Sequence, residues 1–245
     1  ADKFHARALF AFDHLRCPKL TTVVILQSNY IPWRGYFDLI RRADHFVFYD
    51  TAQFTKNDWR NRNTVVAPNG PVWLTIPVAT AGQLGQTIEE VLISDSRWAG
   101  RHLKTLQAAL GRAPCFRAQL KPLLDDWFAS VATMAKISTV NRFLIEQVLQ
   151  VLEIKTALHD AADLPQDGDK TGRLVSICRA LGATRYLSGP AAKSYLDEAQ
   201  FAAAGIAVDW MDYPAYPVYQ QMDGKYQAGV SILDCLAHLP SDKVF

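Results

Sequence analysis

The alternation of apolar and polar residues first indicates regular structure shortly after residue 20. A mainly apolar run covers Thr22–Gln27, which is typical of a strand covered on both faces. Apolar residues then recur at helical spacing over Gly35–Ala43, and a second apolar run covers His45–Asp50. A strand, a helix and a strand in this order favour parallel pairing with a right-handed crossover.

The rest of the chain continues this pattern after a helical interruption. Two strands are predicted around the turn Pro68-Asn69-Gly70, and another over Ile88–Ile93. The further predicted helices are Arg97–Leu110, Pro122–Val131, Ala135–Leu152, Asp169–Leu181 and a segment near Ala191–Ala204, and the further strands are Lys155–His159, Arg185–Leu187 and Ile206–Trp210. We therefore expect an α/β fold with a mainly parallel sheet and a helical insertion in the middle. The expected organisation is an N-terminal extension over residues 1–21, then one domain over residues 22–245 with a helical subdomain at about 97–153.

Composition narrows the class of protein. The 245 residues are 49% hydrophobic and 20% charged, so the chain can bury a core. A net charge of +2 does not favour duplex nucleic acid or an anionic membrane surface, and no apolar run approaches the roughly 20 residues of a membrane helix. The cysteines lie far apart without a C-x-x-C pair, so we expect reduced thiols in a cytoplasmic protein and no metal site. These cysteines are Cys17, Cys115, Cys178 and Cys235.

Many polar and aromatic side chains follow the first predicted strand. In open α/β sheets, ligands bind at the carboxyl ends of the strands, so this loop is a candidate site. Gln27, Asn29 and Tyr30 are expected to form hydrogen bonds with a substrate. Trp33 and Tyr36 are expected to form the walls of the pocket, and Gly35 is expected to let a phosphate approach.

The loop after the second strand is rich in cations and amides. Arginine offers a planar fork that matches phosphate oxygens, and lysine adds a point charge. We expect this segment to bind an anionic substrate, with a solvated, charged loop as the alternative. The candidate residues are Gln53, Lys56, Trp59, Arg60, Asn61, Arg62 and Asn63.

A third candidate loop follows the strand that ends at Leu187. Ser188 and Gly189 precede a predicted helix that starts with proline, and Lys193 lies one turn in. Backbone N–H groups at a helix start attract anions, so these residues could bind a phosphate. The alternative is an ordinary capped helix with a surface lysine.

Three residues are candidates for proton transfer. Asp50 and Asp58 lie in the second loop, and His102 lies on a predicted helix. For a lone histidine such as His102, a structural role is the alternative.

Several of these segments together resemble the WbqC-like family. They are "ILQSNYIPWRGYFDLI", "QFTKNDWRNRN", "WLTIPV", "YLSGPAAKSYLD" and "SILD", in that order from about Thr22 to Leu236. The resemblance implies a role in bacterial O-antigen or other surface-glycan biosynthesis. Some members are called glycine transferases, which implies modification of a nucleotide-linked amino sugar. The chain departs from the family at Tyr213-Pro214-Ala215-Tyr216-Pro217, where relatives usually begin with histidine.

The strand, P-x-x-G and helix of the opening segment also resemble the nucleotidylyltransferases and small ATP-dependent ligases. This resemblance implies a nucleotidyltransferase-like (HUP-like) three-layer core. Their H-x-G-H loop is replaced by Trp33-Arg34-Gly35-Tyr36, so the fold is a better expectation than the reaction.

Three functions are therefore compared. The first is transfer of an acyl or aminoacyl group, with glycyl as the leading choice, from an unidentified donor to the amine of a nucleotide-linked amino sugar. The second is an ATP- and magnesium-dependent ligase or nucleotidyltransferase. The third is a non-catalytic binding protein of a glycan pathway. The oligomeric state is left open.

Overall fold

The computed structural model describes residues 20–245, and the predicted N-terminal extension lies almost entirely outside them. The described residues form seven strands and seven α-helices. The strands are β1 (Thr22–Leu26), β2 (His45–Phe48), β3 (Arg62–Ala67), β4 (Gly70–Thr75), β5 (Ala157–Asp160), β6 (Arg185–Ser188) and β7 (Ala207–Trp210). The helices are α1 (Arg34–Arg41), α2 (Trp98–Leu110), α3 (Lys121–Val131), α4 (Ile137–Val151), α5 (Lys170–Ala180), α6 (Glu198–Ala203) and α7 (Ile232–His238).

The central sheet has five parallel strands in the order β5-β2-β1-β6-β7. From β1 the chain first builds outward through β2 to β5, then returns to the other side of β1 for β6 and β7. The strand order therefore reverses between β1 and β6, and an open α/β sheet forms its ligand crevice at such a point. The predicted α/β class with a parallel sheet is confirmed.

Alternate side chains of β1 pack against different layers. Val24 packs in the core that contains α1 and the middle helices, whereas Val23 and Ile25 pack against Val175 and Cys178 of α5. All three valine and isoleucine side chains of this strand are buried, as a strand between two helical layers requires. This arrangement is a three-layer core.

The middle helices share the larger of these two cores. Trp98 of α2, Phe128 of α3 and Leu144 of α4 are buried in the same cluster as Phe37 of α1. The β3–β4 hairpin also joins it through Val65. Its strands pair from Ala67 and Gly70 outward, as the turn sequence predicts.

Four segments differ from the pattern-based expectation. Residues 88–93 form a short 3₁₀ turn and isolated bridges rather than a strand, because Thr87 and Glu90 make a reciprocal cap. The helix expected near 191–204 breaks into a 3₁₀ turn over Pro190–Ser194 and α6, because Asp197 caps a new helix start. A π-helical turn over Phe116–Leu120 and the helix α7 were not expected.

Within residues 20–245, none of the helices has the length and apolar character that crossing a membrane requires.

Candidate functional site

A cleft of about 510 Å³ lies where the strand order reverses, and we call it the switch-point cleft. It is bounded by the carboxyl ends of β1 and β6, the loop after β2 and the start of α5. A cavity of this size is within the range of small-molecule sites. The polar residues that line it include Gln27, Thr51, Gln53, Lys170, Arg173 and Ser188. Three of these, Gln27, Gln53 and Ser188, are substrate-binding candidates of the sequence.

Arg60 lies at the edge of this cleft and connects the first two candidate loops. Its guanidinium donates hydrogen bonds to the side-chain oxygens of Gln27 and Asn29. Its nearest carboxylate is Asp58, whose Oδ2 is 3.5 Å from the guanidinium. Only 14% of the Arg60 side chain is exposed, and burial lowers its pKa. A cation held mainly by neutral amide oxygens keeps much of its positive potential for an anionic ligand.

Asp58 is an ionised carboxylate within this loop. Partial burial raises its pKa, but hydrogen bonds from the Thr55 hydroxyl (2.6 Å) and the Trp59 N–H (2.7 Å), with the charge of Arg60, together bring the pKa below its usual range. A carboxylate with these partners binds a cation well and holds a proton only weakly. In this position it can pair with an ammonium group.

Asp50 lies in a different environment, at the carboxyl end of β2. It is 8% exposed, and burial raises its pKa although the Ser28 N–H donates to its Oδ1 at 2.8 Å. It lines a recess of about 260 Å³ that also contains Arg142 and Asp160 and meets the switch-point cleft at Thr51. Of the two candidate aspartates, Asp50 has the higher affinity for a proton.

His102 packs inside the core formed by the middle helices. Its Nδ1 is 2.8 Å from the hydroxyl of Tyr30, and its Nε2 is 3.2 Å from the carbonyl oxygen of Thr75. Burial lowers its pKa to about 4, so the ring is neutral near pH 7. Both ring nitrogens are engaged, and Tyr30 is itself buried. The structure gives both residues a packing role away from the switch-point cleft.

Two amides of the second loop support its backbone. Asn63 donates to the carbonyl oxygens of Tyr30 (3.1 Å) and Ile31 (2.8 Å), which fixes a turn where Ile31 has a φ of 39°. Asn61 donates to the carbonyl oxygen of Ile76 at 2.8 Å. Asn61 and Asn63 are buried, and they are placed to hold the loops together.

The P-x-x-G loop does not present its glycine to the switch-point cleft. The indole of Trp33 covers Gly35 so closely that an added Cβ would lie 2.3 Å from the ring. Tyr36 is buried and donates to the carbonyl oxygen of Gln27 at 3.1 Å. Arg34 is buried and donates to the carbonyl oxygens of Pro217 (2.9 Å) and Val244 (3.3 Å). A phosphate therefore has no direct approach to Gly35, which weakens the comparison with ATP-dependent ligases.

The outer part of the second loop carries an exposed aromatic pair. Trp59, which is 44% exposed, lies parallel to Trp73 at 6.0 Å between ring centroids. Arg62 lies 4.6 Å from the Trp73 ring centre and donates to the carbonyl oxygen of Asn57 at 2.6 Å. Lys56 is exposed on the same loop and lines neither the switch-point cleft nor the recess near Asp50.

The third loop is divided between two environments. Ser188 lines the switch-point cleft, while Lys193 is exposed and lies 5.6 Å from the ring centre of Trp210. Gly189 precedes a 3₁₀ turn rather than an α-helix, so it lacks the helix start that the sequence predicted. An added Cβ at Gly189 would lie 3.7 Å from the hydroxyl of Tyr213.

Two cations of the cleft were not among the sequence candidates. Lys170 and Arg173 lie on the first turn of α5, are exposed and make no ion pair within residues 20–245. A helix that follows a parallel strand begins at the carboxyl edge of the sheet. The cations after Asp169 could therefore have been assigned to the site from the predicted βα order.

No group of three or more histidine, cysteine, aspartate or glutamate side chains in residues 20–245 is arranged to hold a metal ion.

Comparison with known proteins identifies the family of this chain. The chain belongs to the WbqC-like protein family, whose model matches residues 27–244, and the resemblance seen in the sequence is confirmed. It is similar to the uncharacterized protein Rv1507c of Mycobacterium tuberculosis, with 40% identity over 223 residues that cover 90% of this chain and 94% of that protein. No solved structure matches the chain significantly.

Proposed function

We propose that this protein transfers an acyl or aminoacyl group to the amine of a nucleotide-linked amino sugar, and that the nucleotide lies in the switch-point cleft. The observation that carries this proposal is a set of three cations: Lys170 and Arg173 line the cleft, and Arg60 donates a hydrogen bond to Gln27, which also lines it. Two of them are unpaired within the described residues, and the third is held mainly by amides. A diphosphate offers the charge that such a set attracts.

The pair of Arg60 and Asp58 suits the reacting amine. The amine nitrogen must lose a proton before it attacks the carbonyl carbon of the donor, where the new bond forms as the leaving group departs. Asp58 can bind the ammonium form, and the adjacent cation of Arg60 favours the neutral amine by electrostatic repulsion. Arg60 can also stabilise the negative charge that develops on the carbonyl oxygen. Asp50, with its raised pKa, is the second candidate to receive the proton.

Calorimetric titration of UDP- and dTDP-linked amino sugars tests the proposal directly. Wild-type protein should bind at least one of them. Arg173→Gln should weaken binding by about tenfold to a hundredfold, because one charged hydrogen bond contributes about 1.5–3 kcal/mol. Arg179→Gln is the matched control, since it removes one exposed cation from the last turn of the same helix. Absence of binding by wild type, or equal weakening by both variants, contradicts the proposal.

Asp58→Asn separates binding from reaction in the same experiment. The variant should bind the nucleotide-linked sugar within a few fold of wild type. With an acyl or aminoacyl donor that supports turnover, its kcat should fall about tenfold or more, because the variant no longer holds the amine beside Arg60. An unchanged kcat would show that Asp58 does not act on the amine, and Asp50→Asn then tests the group that receives the proton.

A further inference from the structure

A second pocket is connected to the switch-point cleft through the hydrogen bonds of Arg60. The guanidinium contacts Gln27, which lines the cleft, and Asn29, which lines this second pocket. The second pocket has a volume of about 370 Å³, and we call it the aromatic pocket. It is lined by Asn29, Pro32, Trp33, Trp59, Asn63 and a short stretch at residues 228–229.

The two tryptophans of this pocket contact other parts of the fold. The carbonyl oxygen of Trp59 accepts a hydrogen bond from the Tyr30 N–H at 2.9 Å, and its indole stacks on Trp73 with 22° between the ring planes. Trp33 rests on Gly35 and contacts Tyr213 at 5.0 Å between ring centroids. Partly exposed aromatic rings around a concave space are typical of a binding site.

The polar groups of the pocket are asymmetric. Asn63 uses its amide nitrogen and oxygen within the fold. Asn29 engages only its oxygen, with Arg60, and its amide nitrogen makes no hydrogen bond within residues 20–245. The pocket thus offers aromatic faces on its walls and an N–H donor with an adjacent cation at one end.

We propose that the aromatic pocket binds the pyranose ring of the amino sugar, an inference that rests on the proposed function. A pyranose has an apolar face of C–H groups, which packs on the electron-rich face of an indole. Its hydroxyl oxygens accept hydrogen bonds, which suits Asn29 and Arg60. An acyl chain would fill the same volume but leave these donors unpaired, at a cost in affinity. A ligand with its ring here and its diphosphate in the switch-point cleft lies across Arg60.

Gly229 allows the pocket to be filled without disturbing the fold. A Cβ added there meets no heavy atom within 4 Å, and its backbone is outside the left-handed region. Gly229→Val therefore places methyl groups in the pocket while other contacts remain. Gly100→Val is the matched control, because Gly100 also has open space, lacks a left-handed φ and does not line the pocket.

The test uses the methyl glycoside of glucosamine, which has the sugar ring without a nucleotide. Saturation-transfer NMR should show its ring protons in contact with wild-type protein, and the indole N–H resonance of Trp59 should shift during the titration. Gly229→Val and Trp59→Ala should each weaken the interaction tenfold or more, whereas Gly100→Val should bind as wild type does. The inference is overturned if wild type makes no contact with the glycoside, or if Gly229→Val and Trp59→Ala both bind it as strongly as wild type does.

A parallel titration with UDP distinguishes this inference from the proposed function. Gly229→Val should bind UDP as wild type does, because Gly229 does not line the switch-point cleft. If the glycoside binds in the aromatic pocket but neither UDP nor a nucleotide-linked sugar binds the protein, the proposed function fails and the sugar site stands. If UDP binds and Gly229→Val has full affinity for the glycoside, the sugar site fails and the nucleotide cleft stands.

Discussion

His102 shows how a single buried side chain makes stability depend on pH. Its pKa is lowered by burial from 6.5 to about 4, so the unfolded chain takes up this proton at a higher pH than the folded protein does. This contribution to stability is present above about pH 6.5 and is lost as the pH falls toward 4. A difference of about 2.5 pH units corresponds to about 3 kcal/mol.

We therefore expect wild-type protein and His102→Gln to differ in their pH dependence. Between pH 7 and pH 4, urea unfolding should show wild type losing about 3 kcal/mol more than the variant, because the variant has no proton to take up at this position. Between pH 7 and pH 8.5 the difference in free energy of unfolding between the two proteins should stay constant. If this difference also stays constant from pH 7 to pH 4, His102 is readily protonated in the folded protein.

Residue types were easier to predict at this site than residue roles. The first two loops were singled out because they are dense in amides, cations and aromatics, and Gln27, Asn29 and Arg60 do meet at one edge of the sheet. Asn63 was expected to bind substrate but holds the carbonyl oxygen of Ile31, 32 positions away in the chain. Whether an amide faces a ligand or a backbone depends on such long-range partners, and no local pattern contains them.

One buried carboxylate attaches the helix α7 to the rest of the fold. Asp234 of this helix is buried and accepts hydrogen bonds from the Val66 N–H of β3 (2.8 Å), the Tyr219 hydroxyl (3.0 Å) and the Gln221 amide (3.1 Å). Removal of this carboxylate leaves the Val66 N–H and the Tyr219 hydroxyl without this acceptor, while the Gln221 amide keeps its bond to the carbonyl oxygen of Gln227 at 3.1 Å. The "SILD" segment that contains it therefore has a structural role here.

Asp234→Ala should lower the free energy of unfolding by about 3 kcal/mol or more, because each unsatisfied buried donor costs about 1–3 kcal/mol. Denaturant unfolding monitored by circular dichroism measures this loss. Asp242→Ala is the control, because that carboxylate is exposed and its ion pair to Lys243 is a long one of 3.7 Å. This variant should change the free energy of unfolding by about 0.5 kcal/mol or less. A similarly small effect of Asp234→Ala would mean that the Val66 N–H and the Tyr219 hydroxyl find other acceptors.

Elements with local signals were predicted more accurately than elements defined by distant contacts. The apolar run of β1 and the turn between β3 and β4 determine those elements within a few residues. The helix expected near residues 191–204 instead breaks at Asp197, whose N–H lies 3.3 Å from the Thr171 hydroxyl of α5. That contact links positions 26 residues apart, and the cap that Asp197 makes with the Ala199 N–H is a separate local signal that helical periodicity does not include.

At the scale of the whole molecule, a weak net charge contrasts with three cations at one edge of the sheet. The net charge of +2 on 245 residues gives only a weak long-range field. The unpaired cations of α5 and the amide-held Arg60 nevertheless lie around one cleft. An anionic ligand must therefore be attracted by these few groups, and added salt should weaken this attraction because it screens their charges.

The affinity for a nucleotide-linked amino sugar should accordingly fall as sodium chloride rises from 50 to 300 mM. The double variant Lys170→Gln with Arg173→Gln should bind more weakly and lose most of this salt dependence, because the screened charges are gone. A variant that removes Lys104 and Arg179 changes the net charge equally, without touching the cleft, and should retain the wild-type slope. If both double variants show the same reduced slope, the salt effect arises from total charge, and the assignment of the phosphates to the start of α5 fails.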